Sequence, residues 1–590
     1  MNSTKTILII LIAALPAIGM VSCQKTGGLD PAVNTSLTEA ATFSDSTKSM
    51  QFLFGIYSDI SFAFGYKRYT YASNISASTA EGCDEGVHRL NGPTQPFVYL
   101  FNGTLNASDI APYQYMWTTS YTDIRKVNVF ISQIDNAPIS AALKLQTKAE
   151  ARFLRAWYYA TLLKNFAGIP IIGDTVFSAS DPIVPARSTY EECVNYILSE
   201  CDAAAAVLPV SYSATDYGRI TKGACLGLKS RVLLYAASPL FNGGSVATDP
   251  NLIKLTAYPS ADPTRWQKAA QAAQDVINMG IYSLNVDNTT APGYGFSQVF
   301  LTRVNSEYIL PGMLPPNKTM ETFATPTSRG ANPTQTAPSE NLAEAFGMSN
   351  GKPITDPASG YDPQNPFVNR DPRFNWTFVY NGTPWYSTTT GTKIPVNIYY
   401  TKNPDGSLTP ATDATLVWLA GYYWRKMMSD NTASNGGPNT DRCLPLIRYA
   451  EILLNYAEAS NEMGNTSVAY DQLKIIRSRA GIAPGSDGLY GLTAGMTQDQ
   501  MRATLQNERE VELAYEDHRY WDVRRWKIAQ ATQNFDMTAM QVVKTGSVYS
   551  YNIIPVNVNA HHQFKDAYYL FPIMQSELSK NRNLVQNPGY

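Results

Sequence analysis

Two long helical segments joined by a short break constrain this chain more than any other feature. Residues 113–134 (YQYMWTTSYTDIRKVNVFISQI) and 143–166 (LKLQTKAEARFLRAWYYATLLKNF) read as amphipathic helices. The break between them, around Asn136-Ala137-Pro138, is too short for anything but an antiparallel return. Gly168 and Pro170 stop the second segment. Residues 190–208 and 221–237 form another such pair, and residues 263–279 add a helix closed by Gly280.

From about residue 243 to residue 445 the character changes. Pro, Gly, Asn and Thr dominate, with only short pieces such as RFNWTFVY and GYYWRKMM that read as helix or strand. A stretch of this length is too long for an ordinary connection, and its Trp, Tyr and Phe content argues against disorder. Helices return at residues 445–462, where Leu446, Ala450, Leu453 and Ala457 share one face. TSVAYDQLKIIRSRAG follows and ends at Gly481, the usual place for glycine past a helix end. Thr497 and Gln500 then make a capping box for the next helix. The first two of these helices span about 36 residues, near the 34-residue tetratricopeptide period, although no repeat signature recurs.

The expected fold class is therefore mainly α: a tetratricopeptide-like helical-hairpin scaffold with a large irregular, loop-rich, ligand-facing layer. The expected segments are 1–22, 23–40, 41–240, 241–444 and 445–590. They correspond to a signal, a tether, an N-terminal helical region, the irregular layer and the C-terminal hairpins.

The N-terminus carries Lys5, then an apolar run from Ile7 to Leu15, then small or apolar residues up to Ser22. That order describes a secretory signal, and the run is too short for a stable membrane span. Cys23 at the end of it resembles a bacterial lipobox, with Ser22 before the cut and Cys23 the lipid-bearing N-terminus. Two or three acyl chains there would hold a durable anchor, since one chain alone binds only marginally. The mature protein is expected to be a soluble body hung from a membrane by residues 23–40. Five further cysteines, Cys83, Cys193, Cys201, Cys225 and Cys443, lack the spacing of a disulfide framework. The three in helical segments read as small core residues.

Lys and Arg number 46 against 48 Asp and Glu, which leaves no basic excess for a nucleic-acid partner. Charged residues make up only 16% of the chain, while 37 Tyr and 9 Trp are present. A surface poor in charge and rich in aromatic rings and amides suits uncharged, polyhydroxylated ligands.

The densest polar constellation begins at Glu508-Arg509-Glu510 and runs to Trp526. Glu508, Glu512 and Glu516 recur every four residues on one helical face. A glycosidase needs two such carboxylates facing its substrate. Here Arg509, Arg519, Arg524 and Arg525 are close in sequence, and buried like charges require such partners. The group reads as a structural ion-pair lattice. No nucleophile elbow, P-loop or zinc-protease motif is present. Of the four histidines, His88, His518, His561 and His562, none has metal-ligand spacing. His518 reads as structural and the 561–562 pair as solvated. No cofactor, metal set or catalytic residue is expected, and Trp117 and Trp157 read as core.

LIRYAEILLNYAEASNEMG, IIRSRAGI, the block from Glu508 through YEDHRYWDVRRW, and the closing LFPIMQSELSKNRNLVQNPGY together resemble the RagB/SusD family of Bacteroidetes surface lipoproteins. AEARFLRAWYYATLLKNFAGIPII, SENLAEAFGMSNGKPI and RDPRF agree. The resemblance covers essentially the whole mature chain and is loosest over residues 240–440. It implies a lipid-anchored, surface-exposed outer-membrane protein without catalytic activity. Its helices would dock on a SusC-like TonB-dependent transporter, and it would capture poly- or oligosaccharide for delivery to that partner. Peptide or glycopeptide cargo on the same scaffold is an alternative, as is, more remotely, a carboxylate glycosidase.

The resemblance places a sugar on a shallow aromatic surface built by loops. In the first loop Asp84, Glu85, Arg89 and Asn91 would bind hydroxyls, with Phe97 and Tyr99 stacking. A second set is Tyr294, Phe296, Phe323 and Arg329. Trp385 and Tyr386 form a third. The family's stacking tryptophans have no Trp counterpart in the first two loops, so stacking by tyrosine or a different ligand class is expected.

Overall fold

The computed structural model describes residues 38–64, 79–87, 99–108, 114–178, 180–182, 184–331, 336–414, 421–556 and 561–590. Cys23, Arg89, Asn91 and Phe97 lie outside the described residues.

Side-chain caps set the starts of the scaffold helices. Asp45 accepts the Lys48 amide to open α1 (Ser46–Tyr57). Helix α2 (Gln114–Gln133) turns through Ala137 and Pro138 into α3 (Ala141–Phe166), whose first turn is capped by the Ser140 hydroxyl. Thr189 and Glu192 form a reciprocal capping box at α4 (Tyr190–Ala205), and Thr221 caps α5 (Lys222–Ala237). Helix α6 (Thr264–Ile277) completes the first half. The second half contains α7 (Tyr449–Glu462), α8 (Thr466–Arg479) and α9 (Gln498–Glu512), the last opened by the expected Thr497–Gln500 box. The short α10 (Arg519–Arg525) follows. Each cap satisfies amides that a helix end otherwise leaves unbonded.

Neighbours in sequence are neighbours in space: α2 packs on α3, α3 on α4, α4 on α5 and α5 on α6. Helix α6 meets α7, so the two halves join in one stack, and α7 packs on both α8 and α9. Helix and strand account for 43% and 12% of the fold, confirming the mainly α class. Trp117 and Trp157 are buried, and Cys83, Cys193, Cys201, Cys225 and Cys443 are all buried free thiols. No helix among the described residues is long and apolar enough to cross a membrane.

The irregular layer mixes short strands with short helices. Strand β1 (Tyr308–Met313) comes first, followed by the hairpin β2 (Pro384–Ser387) and β3 (Thr392–Pro395). Strands β4 (Tyr400–Lys402) and β5 (Leu408–Pro410) make the next hairpin, and β6 (Cys443–Arg448) returns to pair antiparallel with β1. The C-terminal region contributes the long hairpin β7 (Thr538–Thr545) and β8 (Val548–Pro555), giving a sheet of order β8-β7-β4-β5 in which β7 and β4 run parallel. Residues 445–448, expected as the first turn of a helix, belong to β6 instead. Pro445 pairs opposite Pro311 in the sheet, and the helix starts only at Tyr449.

A buried ion-pair lattice links this layer to the scaffold. Glu512 accepts Arg448 at 2.8 Å, Arg373 at 3.0 Å, and Arg479. Glu508 holds Arg373 at 2.7 Å and Arg477 at 2.8 Å. Glu516 holds Arg448 and Lys426, both at 2.6 Å, and Glu307 joins Arg448 and Arg479. Asp371 completes the set through Arg373. Five acids therefore meet five bases with every member buried, so no net charge is left in low dielectric. Burial alone would push the Glu512 carboxyl up, but Arg479, Arg448 and Arg373 hold it far below the carboxylate range. The stripe of acids was visible in the sequence, whereas the bases come from segments up to 139 residues away. The nearby arginines are used elsewhere. Arg509 pairs with Asp522, Arg525 with Asp522 and Glu458, Arg519 with Asp84 and Glu510, and Arg524 donates to the Tyr568 carbonyl.

Candidate functional site

A cleft of about 320 Å³ opens in the irregular layer, at the lower end of the size range of small-ligand pockets. Three segments build it. The first is the short helix Tyr294–Val299. Gly293 starts it at φ 69°, and a Cβ there would lie 2.9 Å from the Ala480 carbonyl and 3.3 Å from the Trp376 ring. Glycine is thus needed both for the backbone angle and for the close approach of Trp376. The second is the short helix Pro372–Thr377, capped by Asp371, which carries Trp376. Its indole donates to the Pro292 carbonyl at 2.9 Å, and its ring meets Tyr294 edge-on at 5.7 Å. Both rings are half-buried, leaving aromatic surface facing the opening.

The third segment, residues 423–431, leaves the pairing of Phe378–Val379 with Tyr423–Trp424 and bends sharply. Met427 takes a left-handed φ of 68° and Met428 closes the turn onto the Arg425 carbonyl. A non-glycine residue in that region costs about 1 kcal/mol, and such strain gathers at binding sites. Arg442 holds the turn by donating to the Met427 carbonyl and to Glu321, whose other oxygen accepts the Ser429 amide. Backbone alternation sends Arg425 into the cleft and Lys426 into the ion-pair lattice beneath it. Lys426 donates to the carbonyls of Glu512 and Ala514, both at 2.9 Å, and burial lowers its ammonium to about 8.

Arg425 lies over the Trp376 ring at 4.6 Å and nearer the floor faces Trp385 at 6.0 Å. Asp430 binds Arg425 at 3.0 Å through one oxygen and Lys393 at 2.8 Å through the other. Ser297, Gln298, Ser429 and Asn431 add hydroxyls and amides to the wall. Flat rings beside a set of donors and acceptors can stack on the C–H face of a sugar while bonding its hydroxyls.

Of the residues expected from sequence, Tyr294 alone among those described lines this cleft. Trp385 is fully buried, donates to the Thr432 carbonyl at 3.1 Å and backs Arg425 rather than facing solvent. In β2 the side chains alternate, so Trp385 points inward while Tyr386 is half-exposed, its amide holding the Asp430 carbonyl. Phe296 is also interior, packed under Lys426 and Arg479. Arg329 is buried and donates to the carbonyls of Ile394 and Pro395, fixing the hairpin that carries Lys393. Phe323 is half-buried on the short helix Thr319–Ala324, away from the cleft lining.

The described part of the first loop belongs to a separate polar cluster. Asp84 makes a two-pronged pair with Arg519 at 2.9 and 2.6 Å, so its oxygens are already bonded. Glu85 is buried and accepts the Tyr515 amide at 3.1 Å. Burial pushes Glu85 up to about 8, and it raises Glu510 as well, against the pull of Arg519. Tyr99 is half-buried against the core. His562, expected in solvent, is buried between Phe101 at 4.7 Å and Phe535 at 4.9 Å, and burial lowers it to about 3. Its neighbour His561 is exposed and bonded to Asp536.

A larger groove, about 730 Å³, lies beside α2 and is lined by Trp117, Tyr121, Pro170, Phe177 and Leu584 among others. Its central polar groups are already used: Tyr121 donates to the Pro170 carbonyl, and Asn128 bonds Thr175 and Arg155. That leaves it less suited to a hydroxyl-rich ligand than the cleft.

A stack of helical hairpins carrying an aromatic, hydrogen-bonding cleft in its loop layer defines a helical-scaffold protein with a surface binding cleft. The chain belongs to the SusD family, whose family model matches residues 296–590; a second model, described as "Starch-binding associating with outer membrane", matches residues 93–234. A SusD-like protein of Formosa agariphila is 31% identical over 174 residues, which are 29% of this chain and 30% of that protein. The crystal structure of a SusD-like protein from Bacteroides fragilis superposes with a TM-score of 0.74 at 25% identity, covering 93% of this chain and 98% of the other. A SusD-like carbohydrate binding protein from the same species gives a TM-score of 0.69 at 24% identity, covering 92% of this chain and all of the other.

Proposed function

We propose that this chain is a lipid-anchored, surface-exposed outer-membrane protein that captures poly- or oligosaccharide and passes it to a SusC-like TonB-dependent transporter. The cleft between Tyr294 and Trp376 carries this reading, because it sets stacking rings beside unspent donors on a rigid base. Family membership supports it, as do the outer-membrane association in one family model's description and the carbohydrate binding named for a structural relative. Anchoring through Cys23 would hold the body at the membrane. The protein acts without catalysis in this account. Glu508, Glu512 and Glu516, the carboxylates a glycosidase mechanism would need, are buried and saturated by bases. Calorimetric titration of the mature body with a glycan panel, paired with affinity capture from solubilised outer membrane, tests the proposal. Saturable glycan binding together with recovery of a TonB-dependent transporter is expected. Binding of peptides but no glycan, or capture of no transporter, would overturn it.

A further inference from the structure

We infer that the cleft selects a glycan carrying an anionic substituent, a carboxylate or a sulfate, which Lys393 and Arg425 hold. This rests on the glycan-binding reading above and adds a ligand class to it. Three charged groups line the cleft among the described residues: Lys393, Arg425 and Asp430. Two cations thus share one carboxylate, leaving a net positive charge. The ion-pair lattice below is balanced and adds none.

Hydrogen-bond capacity points the same way. Each oxygen of Asp430 is taken, one by Lys393 and one by Arg425. The donors are not exhausted. Lys393 has three N–H groups and spends one on Asp430. Arg425 has five and spends one on Asp430 and one on the Asn375 carbonyl. The charged part of the wall therefore offers donors in excess of acceptors, whereas a neutral sugar hydroxyl both donates and accepts.

Arg425 is also held in place. Its guanidinium stacks on Trp376, is backed by Trp385, and is tied to Asn375 and Asp430. A planar fork fixed before binding loses little freedom and matches the oxygens of a carboxylate or sulfate. Lys393 stands at the mouth with 39% of its side chain exposed, on a hairpin pinned by Arg329. Asp430 acts as the spacer that sets the two cations a fixed distance apart.

The test is native affinity electrophoresis of the mature body against two sets of immobilised polysaccharide. Polygalacturonate, alginate, carrageenan and chondroitin sulfate form the anionic set, and starch, laminarin, xylan and galactomannan the neutral one. The most strongly retained anionic glycan is then titrated beside its carboxyl-reduced or desulfated counterpart, at low and high salt. The expected result is about tenfold or more tighter binding of the charged form, the difference shrinking as salt rises. A carboxylate-only or sulfate-only preference names the substituent. Lys393→Met should remove most of the difference. Asp430→Asn should widen it by raising the positive charge, which a merely structural role would not do. Equal binding of charged and neutral forms, or a preference that survives Lys393→Met, overturns this inference and leaves glycan binding standing. Failure of every glycan in both sets overturns the two together.

Discussion

Replacing Glu512 by Gln tests whether the buried carboxylates are structural. Glu512 accepts from Arg373, Arg448 and Arg479, and its carbonyl accepts from Arg448 and Lys426. Gln keeps the shape but removes one negative charge and turns two donor hydrogens toward guanidinium groups that can only donate. The lattice changes from five acids and five bases to four and five. Losing one partner of a buried pair costs about 3–5 kcal/mol, because the remaining charge stays desolvated. Unfolding entropy of about 2.1 cal/mol/K per residue, applied to a chain of 590 residues, gives ~1.2 kcal/mol/K. The melting temperature should therefore fall by about 3 °C, and a denaturant titration should show the loss directly. The reasoning fails if stability changes by less than about 0.5 kcal/mol, the range of an ordinary surface substitution. It also fails if the wild type hydrolyses a glycan and the variant folds normally but does not.

Three further outcomes are expected. Trp376→Ala should weaken glycan binding by about 2 kcal/mol, roughly 30-fold, with Tyr294→Ala somewhat milder; titration calorimetry on variants with unchanged circular dichroism checks both. Glu85→Gln should gain stability relative to wild type as pH rises from about 5 to 8. Burial raises the folded Glu85 to about 8, so the stabilisation from its bound proton is complete below the unfolded value and is lost through pH 8. Chemical denaturation across that range reads the gain, and a flat difference would contradict it. Trp385→Ala should cost about 3–5 kcal/mol as a core deletion, measured by denaturant unfolding. A stable variant that has lost only glycan binding would instead place Trp385 at the ligand.

The scaffold was legible because its signals are local. Helical periodicity, the Thr497 capping box and the glycine after α8 each depend on residues a few positions apart. The strand at 443–448 was not, since its apolar run fits a helix equally well and its partner β1 lies more than 130 residues earlier. The same distance effect hid the bases of the lattice and scattered the cleft over residues 294, 376, 393 and 425–430. Trp385 sits in the polar stretch NGTPWYSTT and Trp376 in the more apolar RFNWTFVY, so the sequence pointed to the wrong one of the two. Strand alternation buried the first, while a short capped helix left the second at the surface, and neither fact can be read without the pairing. Tyr294 was found because the family resemblance pointed to the loop that carries it. Arg425 and Lys393 gave no local signal, since their role comes from sharing Asp430.

A co-crystal structure of the mature body with a bound oligosaccharide tests the central claim most directly. The account predicts a sugar ring lying against Trp376 and Tyr294 at van der Waals distance, about 4 Å, with its polar groups on Arg425, Lys393 or Asp430. A sugar found instead in the groove beside α2, with the cleft empty, would contradict it.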